Sequence, residues 1–248
     1  MKLPRIMFRG AQSGGSIKNG GRLDQILKII SEVAATDSGY CAVLHSSDEL
    51  TLPEMENEFR LYGEKAVDRI AEIFRIYTGH PSSACIKACN LTPDVPNAVS
   101  LAEHHRSGDP PFVYTFWRDS SSVFRRDAID SDPNLAVYPL NGNTGLLRAR
   151  QNGYWFCNHL QSLGEEYRSE NAGWSRYYNA TCVVCIAPPC EGRPINPLGF
   201  LCIDNMGGGF DDSTCRHIMN ILGNLLHYSM WMTAEIAHRK GKDDDDPA

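Results

Sequence analysis

Nine cysteines are spread through the 248 residues, and three of them fall in one ten-residue stretch, "TCVVCIAPPC". Cys182 and Cys185 have the C-x-x-C spacing used by zinc knuckles and redox dithiols, and Cys190 follows five residues later. A zinc knuckle needs a tight turn between its two thiols. Here the intervening residues are Val183 and Val184, strong strand formers. On a strand, residues three apart face opposite sides, so Cys182 and Cys185 are expected to point into different layers as packing thiols. No second C-x-x-C follows at ligand spacing, and "ACIKAC" places Cys85 and Cys89 on another strand. Cys190 sits in the proline-rich loop "PPCEGRPINP" with Arg193 near it, where a surface thiol with a lowered pKa is conceivable.

Other constellations are weaker. "DNMGGGFDD" joins a strand to a helix but lacks the lysine and spacing of a phosphate loop, so its glycines are read as turn formers. No G-x-S-x-G elbow is present. Cys157 and His159 share one face of an extended "FCNHL" and form the best local Cys–His pair. His217, His227 and His238 are too widely spaced on one helix to share a metal. Ten of the 23 aromatic residues fall in "FVYTFW", "YWF" and "WSRYY", interleaved with Thr115, Arg118, Asn158, Arg176 and Asn179. Flat rings beside few polar tips suit a small-molecule pocket as well as a core.

These residues need elements to hold them. The glycine-rich segment 10–21 is expected to be a flexible lead-in. The stripe Leu23, Ile26, Leu27, Ile30, Val33 and Ala34 predicts a helix ending near Gly39, followed by a strand "YCAVLH". Thr51 and Glu54 form a capping box for a second helix that runs to about Tyr77, with Gly79 as its stop. Strands are predicted at "SACIKACN", "PFVYTFWRD", "TGLLRAR", "YWFCN", "ATCVVCIA" and "PLGFLCID". The last two are apolar on both faces, as befits central strands. A long helix from about Asp212 to Lys240 closes the chain, leaving 241–248 as an acidic disordered tail.

Composition sets the exclusions. The net charge is −6, and residues 243–246 carry four of those negative charges, so the body is near −2 and carries no nucleic-acid footprint. No apolar run is long enough to span a membrane. An odd number of cysteines and no export-signal core point to reduced thiols in a cytoplasm. There is no metal or nucleotide signature, so the cofactor is unknown.

From "TGLLRARQNGYWFCNHL" through "NPLGFLCIDNMGGGFDDSTCRHIMNILG", the chain resembles the second half of a GAF domain: an apolar strand, a loop, a strand running from Gly199 to Asp204, then "FDD" and a closing helix. "LDQILKIISEVA" resembles the entry helix of that family. The resemblance spans residues 22–240 and implies an α+β, GAF-like fold: a central antiparallel sheet of about six strands, long N- and C-terminal helices packed on one face, and a ligand pocket on the other. It also implies a non-catalytic sensory or regulatory role in signal transduction, an unidentified small molecule as ligand, and a homodimer through the terminal helices. The family's cyclic-nucleotide signature is reduced here to "FDD", and Asn158 separates Cys157 from the His159 that a bilin-attaching pattern would place beside it. Position in the fold gives Trp117, Arg118, Phe156, Asn158, Tyr178 and Asp204 as ligand-binding candidates. The alternatives are a GAF-type thiol reductase using Cys157, Cys182, Cys185 or Cys190, and a dimerisation module without ligand.

Overall fold

A computed structural model describes residues 16–46, 50–92, 97–101, 112–127, 137–169, 173–188 and 197–245. Its elements are α1 (Ser16–His45), α2 (Leu52–Thr78), β1 (Ser82–Asn90), β2 (Phe112–Arg118), α3 (Ser120–Asp127), β3 (Tyr138–Pro139), α4 (Thr144–Asn152), β4 (Tyr154–Cys157), β5 (Ala180–Ile186), β6 (Gly199–Asn205) and α5 (Thr214–Asp245). Two short 3₁₀ segments, Leu160–Glu166 and Trp174–Arg176, precede β5. The six strands form one antiparallel sheet in the order β3-β2-β1-β6-β5-β4. This is the expected GAF-like α+β architecture.

The period of two along the strands divides the core into layers. Ala84, Ile86 and Ala88 of β1, Cys182 and Val184 of β5, and Leu201 and Ile203 of β6 join the large inner cluster beneath α1, α2 and α5. Their alternates Cys85, Cys89, Val183, Cys185, Phe200 and Cys202 form an outer cluster covered by Leu146 and Ala149 of α4. Every residue of β5 is buried, as expected for a strand covered on both sides. Cys182 and Cys185 therefore do face opposite layers.

The ends of α2 follow the sequence closely. The Thr51 side chain accepts from the Glu54 amide and Glu54 reaches back to the Thr51 amide at 2.9 Å. Gly79 closes the helix in the left-handed region at φ 75°.

Two expectations are corrected. Segment 40–45 is not a strand: α1 runs through Gly39 to His45. Its buried positions Ile26, Ile29, Val33, Asp37, Tyr40 and Leu44 keep helical spacing throughout, and Gly39 sits on the open side. Burial of that stripe against α2 and α5 outweighs the roughly 1 kcal/mol cost of an interior glycine. "TGLLRAR" is helix α4, started by the Asn143 side chain accepting from the Leu146 amide at 3.0 Å and stopped at Gly153. Helix α1 begins at Ser16 inside the expected lead-in, and α5 reaches Asp245 inside the expected tail; the rest of both segments lies outside the described residues.

A polar knot ties the long helices together. Asp37 of α1, 6% exposed, accepts from Tyr62 of α2 at 2.9 Å and from Ser229 of α5. Tyr40 and Thr233 share a hydrogen bond at 2.6 Å one turn away. Burial pushes the Asp37 carboxyl above its usual range, although the hydroxyl donors pull the other way. A carboxyl whose pKa is raised by folding favours the native state at low pH, and that contribution is lost as pH rises from about 3.8 through the folded value. The difference in unfolding free energy between the wild type and Asp37→Asn is therefore expected to fall between pH 4 and 7 in denaturant titrations. A difference that stays flat or rises would show that Asp37 is ionised in the fold at no cost.

Candidate functional site

The outer face of the sheet, away from the three long helices, holds the polar groups the core does not need. Lys87 stands in the middle of β1 between Ile86 and Ala88, and its ammonium donates to Thr115 Oγ1 at 3.0 Å. The same Nζ lies 5.1 Å from the ring centroid of Tyr138 on β3. Burial acts to lower the Lys87 ammonium, but the Tyr138 phenol and the Cys85 and Cys202 thiols beside it outweigh that and hold it above its usual value. Lys87 is thus held inside the outer layer by its hydrogen bond to Thr115 and its contact with the Tyr138 ring.

Beside it the sheet, the start of α4 and the Tyr167 and Tyr178 side chains border a cavity of about 30 Å³, lined by Lys87, Asn143, Thr181 and Asp204 among others. That space accommodates one or two water molecules, against the 300 Å³ or more of a typical metabolite pocket. The Tyr167 and Tyr178 hydroxyls are 3.4 Å apart, and Ser169 reaches Tyr178 at 3.5 Å. Burial and the nearby Asp204 charge push the Tyr178 phenol up to about 12, and burial with the Tyr178 contact raises Tyr167 further. Both are neutral donors at physiological pH. The segment over the cavity is tied to α4 through Thr144, whose amide and hydroxyl donate to the Arg168 and Glu166 carbonyls at 3.1 and 3.0 Å.

The candidate residues read from the sequence divide between the two faces. Tyr178 and Asp204 meet at the outer cavity. Arg118 lies at the end of β2 opposite Cys85, and its Nε is buried without a hydrogen-bond partner among the described residues. Trp117 and Phe156 belong to the inner face: Trp117 packs among Phe59, Tyr62 and Phe116, and Phe156 against Tyr154. Asn158 has a structural task, donating to the Phe210 carbonyl and accepting from the Phe210 amide, both at 2.9 Å. Of the other interleaved polar residues, Asn179 accepts from the Gln161 amide at 3.0 Å and Arg176 is exposed.

Lys87, Tyr138 and Tyr167 are the site residues that sequence reasoning missed. "ACIKAC" carried a signal for the first, since a lysine interrupting an otherwise apolar central strand must find a polar partner or a ligand. The glycine turn "MGGGFDD" is held from within: Asn205 accepts from the Gly207 and Gly208 amides at 3.0 and 2.6 Å. Gly208 and Gly209 take φ of 78° and 92°. Asp211 then caps α5, accepting from the Ser213 and Cys215 amides at 2.8 and 3.2 Å. Those amides are taken up by the chain itself, as the turn-former reading expects.

The thiols are dispersed. Cys182 is in the inner cluster, Cys185 in the outer one, and Cys157 packs against the Leu160–Tyr167–Tyr178 group while His159 is exposed. Burial raises the Cys182 thiol well above its usual value and pushes Cys185 up to about 12, so neither is a ready nucleophile as it stands. Cys190 lies outside the described residues. Among the described residues no group of three or more His, Cys, Asp and Glu side chains is arranged to hold a metal ion, and no helix is long and apolar enough to cross a membrane.

No protein-family profile and no curated protein sequence matches the chain. Solved structures do. It is similar to the GAF domain of an Acinetobacter phosphoenolpyruvate-protein phosphotransferase (TM-score 0.46, 11% identity, covering 90% of this chain and 98% of that one). It is also similar to the phycoerythrobilin-bound GAF domain of a cyanobacterial phytochrome (TM-score 0.44, 8% identity, covering 83% and 98%). A third is the chromophore-binding domain of a bacteriophytochrome from R. palustris (TM-score 0.42, 11% identity, covering 83% and 62%). The likeness is one of fold.

Proposed function

We propose that this chain is a non-catalytic GAF-like sensory domain that binds a small polar metabolite on the outer face of its sheet, works in the cytoplasm, and signals as a homodimer through its terminal helices. The observation that carries this reading is the gathering of Lys87, Tyr178, Tyr167 and Asp204 around one enclosed cavity on the face the long helices leave free. A lysine amine, a carboxylate and neutral phenol donors make a site suited to a ligand with both acidic and donor groups. Because the cavity holds one or two waters, a metabolite enters only as α4 and the 160–178 segment move outward. The ligand would then order that cover, and the change would pass through β5 and β6 to α5.

For the dimer, α1 offers Leu23, Leu27, Ile30 and Ala34 and α5 offers Ile221, Leu225, Tyr228 and Met232, each at i, i+4, i+7, i+11. Leu23 and Leu27 are each 42% exposed and Tyr228 45%, an apolar stripe that a second copy would cover.

Native mass spectrometry of protein from its own host reads ligand and oligomeric state together. A thermal-shift screen of amino acids and small carboxylic acids follows. Lys87→Met keeps the length of the side chain and removes its charge. It is expected to leave stability within about 1 kcal/mol of wild type, since its loss strands no buried counter-ion, and to abolish the ligand-induced shift. A dimer with no co-purified ligand and no shift across the screen would leave a dimerisation module in place of a sensor.

A further inference from the structure

We propose that Cys182 and Cys215 form a redox-active dithiol that closes to a disulfide joining β5 to the first turn of α5. The two residues are 33 apart in sequence, yet their sulfurs lie 3.8 Å from one another in the inner layer. Both side chains are fully buried. A disulfide requires closure to about 2.05 Å, a movement within reach of side-chain rotation and a small shift of the helix start. The C-x-x-C partner suggested by spacing, Cys185, faces the other side of the sheet, so the functional partner of Cys182 comes from the helix.

The surroundings differentiate the two thiols. The Cys215 amide donates to Asp211 at 3.2 Å, and the thiol sits in the first turn of a helix of 32 residues, where the helix dipole favours negative charge. The Tyr154 hydroxyl donates to the Asp211 carbonyl at 2.9 Å, beside this helix start. The hydrogen bond the two thiols share outweighs burial and holds Cys215 below the usual thiol value, while burial holds Cys182 well above it. Cys215, at the helix start, is the attacking sulfur of the proposed pair. Asp211 and Tyr77, both partly exposed and hydrogen-bonded to each other, form the cover over this end of α5. Access for a molecule the size of a peroxide thus needs one side-chain layer to open.

With hydrogen peroxide as oxidant the step balances. The Cys215 thiolate attacks one peroxide oxygen, forming an S–O bond as the O–O bond breaks, and the departing hydroxide takes a proton and leaves as water. The Cys182 sulfur then attacks the sulfenic sulfur. The S–S bond forms, the S–O bond breaks, and the oxygen leaves as a second water with the Cys182 proton. The two sulfurs give up two electrons and the peroxide accepts them; a small dithiol reverses the change by exchange. The bond would clamp the sheet to the helix that carries Tyr228 and Met232, so oxidation would stiffen the output end of the fold.

The test uses the full chain treated with graded hydrogen peroxide, quenched in acid, alkylated and digested with chymotrypsin. Cleavage after Phe210 separates Cys215 from Cys202, and fragment ions separate Cys182 from Cys185. The expected result is a Cys182–Cys215 cross-link with the loss of two hydrogens. It should be accompanied by a melting temperature several degrees higher that dithiothreitol restores, and by loss of the cross-link in Cys215→Ser. Full alkylation of both thiols at doses that oxidise half-buried Cys157 would overturn the proposal. So would a cross-link between Cys85 and Cys202, which face each other across β1 and β6 on the outer layer. Mapping of the wild-type protein decides the matter even where the serine variant fails to fold.

Discussion

Trp117→Ala is expected to destabilise the protein by about 3–5 kcal/mol, the range for truncating a buried aromatic ring to a methyl group. The indole is 5% exposed and sits edge-on to Phe59, with ring centroids 4.6 Å apart, and beside Phe116 at 4.7 Å. It lies so close on α2 that a Cβ at Gly63 would stand 2.0 Å from Trp117 Cε2. Glycine at that position lets the ring rest on the helix backbone, so the hole left by alanine is walled by main chain that cannot relax inward. Denaturant titration reads the loss directly. A cost near 1 kcal/mol, or a ligand that no longer binds to a variant of wild-type stability, would put the indole in the binding site after all.

Trp117 also explains where sequence reasoning stops. Strict alternation along β2 places 113, 115 and 117 on one face, so an aromatic two residues beyond Thr115 reads as a neighbour of the outer polar groups. Val113 and Thr115 do face outward, Thr115 opposite Lys87. A register shift between Ile86 and Lys87 then lets Phe116 and Trp117 both turn to the helices, and returns Arg118 to the outer face opposite Cys85. A single extra residue moves the largest side chain across the sheet, and nothing in "FVYTFWR" marks it. Local chemistry was legible where one or two residues act alone: the Thr51–Glu54 box, the Gly79 stop, the double-faced β5, and the divergence of Cys182 from Cys185. Where distant segments decide, it was not. The continuation of α1 through Gly39 depends on α2 and α5, and the Cys182–Cys215 contact depends on how a helix start meets a strand 33 residues away.

Gly199→Ala concerns the backbone that positions Lys87. Gly199 opens β6 opposite Ala88, and Phe200 stands opposite Lys87 in the same antiparallel pairing. A Cβ built on Gly199 would lie 2.2 Å from the Lys87 carbonyl oxygen, 3.1 Å from its carbonyl carbon and 3.3 Å from Ala88 Cα. All three are main-chain atoms in the middle of the sheet, so no rotamer change relieves the clash and β1 must separate from β6. Overpacking against side chains costs 1–3 kcal/mol; against two paired strands the loss is expected at the top of that range, about 3 kcal/mol. The same displacement would draw Lys87 from Thr115, so the variant should lose ligand-induced stabilisation even at temperatures where it remains folded. Gly153→Ala is the matched control: its Cβ has no atom within 4 Å and it bears only the strain of its backbone at φ 78° and ψ −31°, about 1–3 kcal/mol. Equal losses in the two variants would mean that positive φ sets the cost of glycine replacement in this fold. A larger loss at Gly199 would locate the constraint in the close approach of β1 and β6, beneath the lysine proposed to meet the ligand.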